Sequence, residues 1–174
     1  MYYAPQCWTS DDTDALERLK IQYGTSMVYP VSSLGAHVSA APNHQLLRNT
    51  PIETRANVAY FGTFGYELDL NKLSMDEQIK VKEEITFMKD YREIIQFGTF
   101  YRLKSPFEGN ETVWMVVSQD QNTAIIGYYR TLQEVNVGYR RVKLLGLDPD
   151  KEYHVNLNNT VHYGDELMNL GLIT

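Results

Sequence analysis

Apolar and polar positions follow two different rhythms along these 174 residues. Up to about Phe97, short apolar runs alternate with stretches at helical spacing; beyond it come short strands separated by turns. Leu16, Leu19 and Tyr23 repeat at helical spacing behind Ser10-Asp11-Asp12-Thr13-Asp14, all favourable helix-start residues, and Gly24 offers a stop. Ser26 to Val31 is an apolar run broken by Pro30 and predicts a buried strand, followed by a long loop over 32–51 that carries His37 and His44. Thr54 to Phe61 predicts a second helix ended by Gly62 and Gly65, and Phe64 to Leu70 another strand. Ser74-Met75-Asp76-Glu77 is a capping box that opens the longest helix, to about Gln96, with Ile85, Met88 and Ile95 on one stripe and Gly98 closing it.

Strand–helix alternation predicts parallel strands with helical crossovers over residues 1–97. A closed (β/α)8 barrel needs about 250 residues, so this half makes only a portion of one. Residues 98–174 predict a small antiparallel β-sandwich. Its strands fall near Phe100–Lys104, Val113–Ser118, Ala124–Thr131, Arg140–Leu145 and Tyr153–Val155, with a hairpin at 119–122 and a turn at Asp148-Pro149-Asp150. The fold class is therefore α/β plus all-β.

Composition narrows the function. With 43% hydrophobic and 22% charged residues the chain is an ordinary globular protein, and its net charge of −6 argues against a nucleic-acid partner. No apolar run approaches the roughly 18 residues of a membrane span. The single cysteine, Cys7, excludes an internal disulfide and fits the cytoplasm; the start, Met1 to Pro5, lacks the features of a signal peptide. The four histidines show no metal-ligand spacing, so loop and surface roles are expected for them and no metal or cofactor is. The 13 tyrosines suit a tyrosine-rich β-domain better than a sugar-binding surface.

Trp8-Thr9-Ser10-Asp11-Asp12-Thr13-Asp14 is the sharpest feature, because three carboxylates crowd one helix start. One reading is an over-provided N-cap. The other is a general acid/base of glycoside cleavage, where one carboxyl group protonates the leaving oxygen and a second, from elsewhere in the fold, attacks or activates water. Asp11 and Asp12, being adjacent, cannot be the two opposed groups. Trp8 either stacks on a sugar ring or fills the core.

Residues 2–15, from Tyr2-Tyr3-Ala4-Pro5-Gln6-Cys7-Trp8 through Asp14-Ala15, resemble the acid/base segment of melibiase-type α-galactosidases. The likeness continues through Glu17 to Thr25, Gly35 to Ser39, Phe64 to Asp69, Ser105 to Glu111 and Gly164 to Asn169, covering essentially the whole chain. The resemblance implies a retaining exo-glycosidase that removes terminal α-galactose from melibiose, raffinose and related sugars. It implies no metal and a homo-oligomer, a tetramer in full-length relatives. It makes Asp11 the acid/base, with Asp12 as the fallback, and Trp8 a substrate contact. The family's nucleophile, an aspartate in a Lys-Trp-Asp segment, has no counterpart around Trp8 or Trp114, and its galactose-holding glycine-rich segment is missing, since no Gly-Gly pair occurs. Met1 falls where a full-length member has an internal residue. A fragment, a truncated gene or one piece of a split gene is expected, inactive alone. The alternative is a non-catalytic sugar-binding or assembly module built on the β-domain.

Overall fold

The computed structural model describes residues 3–174, which form mixed α and β structure with no closed barrel. The chain divides into two compact units, Met1–Gln96 and Phe97–Thr174.

The first unit is built on short parallel pairings. Cys7 bridges Leu34 in parallel, its N–H bonding to Ser33 O at 2.8 Å and its carbonyl accepting from Gly35 N at 2.9 Å. Strand β1 (Val38–Ser39) pairs in parallel with β2 (Tyr66–Glu67) in the register Val38 to Tyr66. A helix follows each extended segment: α1 (Ala15–Thr25) after Cys7, α2 (Ile52–Ala59) after β1 and α3 (Met75–Phe97) after β2. The strand–helix alternation is present, although of these extended segments only β2 falls where the apolar pattern predicts a strand.

Buried polar groups tie these helices together as much as apolar ones. Leu19 and Tyr23 of α1 are buried, and so are Arg18 and Gln22 on the same stripe. Gln22 Nε2 donates to Val58 O at 3.0 Å and Phe61 O at 3.3 Å, where α2 ends. Arg55 of α2 donates to Thr50 O at 2.9 Å and, through Nη1, to Ser39 O. At Gly62 an added methyl would lie 2.5 Å from Ala36 Cβ, so this close approach requires glycine. The capping box forms as predicted: Glu77 Oε2 accepts from Ser74 N at 2.9 Å, and Ser74 Oγ accepts from Glu77 N at 3.3 Å. Helix α3 buries Val81, Glu84, Met88 and Ile95, while Ile85 is half-buried.

Four expectations are corrected. Ser26 to Val31 is not a strand. The N–H groups of Ser26, Met27, Val28 and Tyr29 all bond to carbonyls of the last turn of α1, leaving none for a ladder, and Val31–Ser33 is a 3-10 turn. Gly24 lies inside α1, which ends at Ser26 in right-handed geometry. The predicted long loop contains β1. The strand expected over 64–70 shrinks to Tyr66–Glu67, because Asp69 caps a second 3-10 turn at Leu70–Lys72, accepting from Asn71 N at 3.0 Å.

In the second unit β3 (Thr99–Lys104), β4 (Glu111–Val117) and β5 (Ala124–Arg130) form an antiparallel meander with β4 central and buried along its whole length. Val113, Met115 and Val117 pack with Val142, Leu144, Leu147, Tyr153 and Leu167 in one core. On the alternate face Trp114 lies 5.3 Å from the Tyr129 ring and 6.3 Å from Phe100. Two further antiparallel ladders join β6 (Arg141–Val142) to β9 (Leu172–Ile173) and β7 (Glu152–Val155) to β8 (Thr160–Tyr163). Helix α4 (Gly164–Asn169) follows β8; the sequence pattern predicts neither β8, α4 nor β9. Among the described residues no helix is long and apolar enough to cross a membrane.

Candidate active site

The three aspartates after Trp8 have separate roles. Asp14 is the N-cap of α1: its Oδ1 accepts from Leu16 N at 3.0 Å and Glu17 N at 3.1 Å, it is buried, and Arg48 pairs with it. Asp12 supports the turn before the helix, its Oδ1 accepting from Asp14 N at 3.0 Å while its own N–H donates to Ser10 Oγ at 3.0 Å. Asp11 takes no part in starting the helix. It is exposed, and its Oδ1 accepts from Trp8 Nε1 at 3.1 Å. The N-cap reading of this segment therefore holds for Asp14 and in part for Asp12, and leaves Asp11 free for other work.

Trp8 is 55% exposed and does not fill the core. One face of its indole lies on the His37 imidazole, with centroids 4.6 Å apart and planes 7° from parallel. His37 does lie in a loop, just before β1, but it is not a surface group: its side chain is 7% exposed, covered by Trp8 and flanked by Glu67, whose Oε2 lies 2.7 Å from Nε2. That contact is close but off the line of a hydrogen bond, and neither ring nitrogen hydrogen-bonds among the described residues. Burial, and after it the nearby charge of Arg18, hold His37 below the usual imidazole range, against an opposing pull from Glu67.

Arg18 is the organising residue that sequence reasoning missed. It is 3% exposed; Nη1 donates to Ser10 O at 3.3 Å and Nη2 to Gly35 O. One buried guanidinium thus binds the segment bearing Asp11 to the segment bearing His37. The available signal was a polar pair, Arg18 and Gln22, on the same stripe as Leu19 and Tyr23. Thr9 Oγ1 adds a bond to Gly35 O at 3.4 Å, and Gln6 Nε2 reaches Thr63 Oγ1 at 3.0 Å.

Trp8 and Asp11 follow the Cys7 segment, Ser39 ends β1 and Glu67 ends β2, so polar groups collect after or at the C-terminal ends of parallel strands. In open or closed α/β sheets that is where chemistry is placed. No group of His, Cys, Asp and Glu among the described residues is arranged to hold a metal ion.

The comparisons point to glycoside hydrolases throughout. The family model for melibiase matches residues 1–98, and that for the C-terminal domain of glycosyl hydrolase family 36 matches residues 111–174. The chain belongs to the melibiase family. It is 54% identical over 172 residues to α-galactosidase AgaA of Geobacillus stearothermophilus, covering 99% of this chain and 24% of that protein. An α-galactosidase of Lactobacillus acidophilus is 49% identical over 170 residues, 98% of this chain and 23% of that protein. The crystal structure of AgaA superposes with a TM-score of 0.95 at 53% identity, over 99% of this chain and 24% of that one. A variant of the same enzyme in complex with raffinose gives 0.96 at 52%, with the same coverage. The chain thus spans about a quarter of the length of these relatives.

Proposed function

We propose that this chain is the acid/base-bearing quarter of a retaining α-galactosidase, with residues 1–97 forming the closing strand–helix units of a (β/α)8 barrel and residues 98–174 a C-terminal antiparallel β-sandwich. The observation that carries this reading is the division of labour among the aspartates: Asp14 and Asp12 hold the helix start, and Asp11 alone is exposed and free of it. In the proposed reaction Asp11 protonates the glycosidic oxygen while a carboxylate from another segment attacks the anomeric carbon; Asp11 then takes a proton from the water that releases galactose. Trp8, with one face on His37, offers its open face to the sugar. The substrates are α-galactosides of the melibiose and raffinose type, in a cytoplasmic homo-oligomer with no cofactor, nucleic-acid or membrane partner. The nucleophile belongs to a Lys-Trp-Asp segment that these 174 residues do not contain, so the chain alone turns over no α-galactoside.

The test is a hybrid in which this chain replaces the matching quarter of the Geobacillus stearothermophilus enzyme, which 53% identity and a TM-score of 0.95 make feasible. The hybrid is expected to hydrolyse melibiose. Asp11→Ala should then lower its rate about 10²- to 10⁴-fold on melibiose, while the glycosylation step on an aryl galactoside with an activated phenol suffers much less; deglycosylation slows as well, and azide should restore turnover. If Asp12→Ala shows that signature instead, the two assignments exchange. If neither does, or if the isolated chain is active, the reading fails.

A further inference from the structure

The group that touches Asp11 has only one thing to offer. An indole carries a single N–H and accepts nothing, and in Trp8 that N–H donates to Asp11 Oδ1 at 3.1 Å. The indole is in turn held in place. The His37 ring lies under it, 4.6 Å away and within 7° of parallel, and the His37 side chain is itself buried beside Glu67. At the indole's edge, a methyl added to Gly35 would come 3.4 Å from Trp8 Cε3 and 3.1 Å from Cys7 O, so the backbone approaches closely there. Arg18 joins the two segments through Ser10 O and Gly35 O.

We infer that His37, acting through the stacked indole of Trp8, fixes the Asp11 carboxyl with Oδ1 occupied, so that Oδ2 is the oxygen that delivers and recovers the catalytic proton. This rests on the assignment of Asp11 as acid/base. In the first half-reaction the Oδ2–H bond breaks as the glycosidic oxygen takes the proton, the bond from that oxygen to the anomeric carbon breaks, and the carboxylate from the other segment bonds to the carbon in its place. In the second, Oδ2 takes a proton from water as the water oxygen bonds to that carbon and the ester bond to the nucleophile carboxylate breaks, releasing it as the anion. Asp11 becomes negative as the first step proceeds, so the Trp8 bond strengthens into a charge-assisted one on the way to the transition state. An interaction that grows in that way raises kcat and leaves substrate binding largely alone. His37 and Trp8 act here as positioning residues; a neutral imidazole serves because the stack needs a flat ring, not a charge.

The experiment uses the hybrid enzyme and three variants, Trp8→Phe, His37→Ala and His37→Phe, each made alone and on the Asp11→Ala background. Trp8→Phe keeps an aromatic ring and loses the donor; His37→Phe keeps a flat ring beneath the indole. Trp8→Phe and His37→Ala are expected to lower kcat on melibiose about tenfold with a much smaller change in KM, and to spare kcat/KM on the activated aryl galactoside, which reports the glycosylation step alone. His37→Phe should restore most of the loss of His37→Ala. On the Asp11→Ala background neither loss should appear, because the pair shares one role. Equal losses on both substrates, a rise in KM with kcat unchanged, or fully additive losses with Asp11→Ala would each overturn the inference. If Asp11→Ala shows its leaving-group signature and the other variants do not, this inference falls alone. If Asp11→Ala lacks the signature, both readings fall together.

Discussion

At the residue scale, three carboxylates within four positions look alike in a sequence, and geometry ranks them. Asp14→Ala removes a buried cap that accepts two backbone amides and pairs with Arg48, at a cost of about 2 kcal/mol. Asp12→Ala loses one turn bond and costs about 1 kcal/mol, and Asp11→Ala, exposed and outside the helix start, costs close to nothing. Urea unfolding followed by far-UV circular dichroism should give the order Asp14, Asp12, Asp11; equal losses would contradict it. The crowding of acids at one helix start was legible in the sequence. What was not legible is which acid caps, since that depends on where the first turn begins, and ends here are set by Asp14 alone. His37 was equally opaque: its partner Trp8 is far away in sequence, and a histidine in a predicted loop gives no sign of being stacked and buried.

At the scale of elements, signals that act within one turn were readable and those that need a distant partner were not. The capping box and stripe of α3 are local, and the helix runs Met75–Phe97 against an expected end at Gln96. Met27, Val28 and Tyr29 imitate a strand, yet they are 62%, 75% and 42% exposed, because α1 claims their amides. Strands β1 and β2 are two residues each, too short for any period to register, and β8 alternates half-buried with exposed residues over only four. Between β6 and β7, Gly146 adopts a positive φ of 72° against the Tyr101 hydroxyl, so Gly146→Ala is strained twice over and should cost at least about 2 kcal/mol in thermal unfolding. At the start of β4, burial pushes Glu111 up, but hydrogen bonds from Lys104, Tyr128 and Arg140 outweigh it and bring its pKa to about 2. A carboxyl depressed in the folded state stabilises fully above its unfolded value and loses that contribution as pH falls toward the folded one. The stability gap between wild type and Glu111→Gln should therefore be widest above about pH 5 and close between there and about pH 2. A gap independent of pH would mean that the ion cluster contributes nothing.

At the scale of the whole molecule, an unclosed ladder and the exposed Met27–Tyr29 run predict that the chain, purified alone, self-associates. Val28 belongs to the surface it would cover. Phe61, by contrast, is 4% exposed and already buried, while Phe64 and Ile85 are half-buried. Sedimentation at micromolar concentration should show oligomers that Val28→Lys weakens, and a clean monomer would refute this. The contrast between the two units also sets a timetable. The meander joins Val117 to Ala124 and Lys104 to Val113, closing loops of fewer than about ten residues, whereas Cys7 must find Leu34 and Val38 must find Tyr66 across an intervening helix. The second unit, although later in sequence, should therefore be the first to acquire stable amides. In pulsed hydrogen exchange during refolding, Trp114 and Met115 should become protected before Leu34 and Tyr66, so that the segment carrying Trp8 and Asp11 is completed after the second unit has formed.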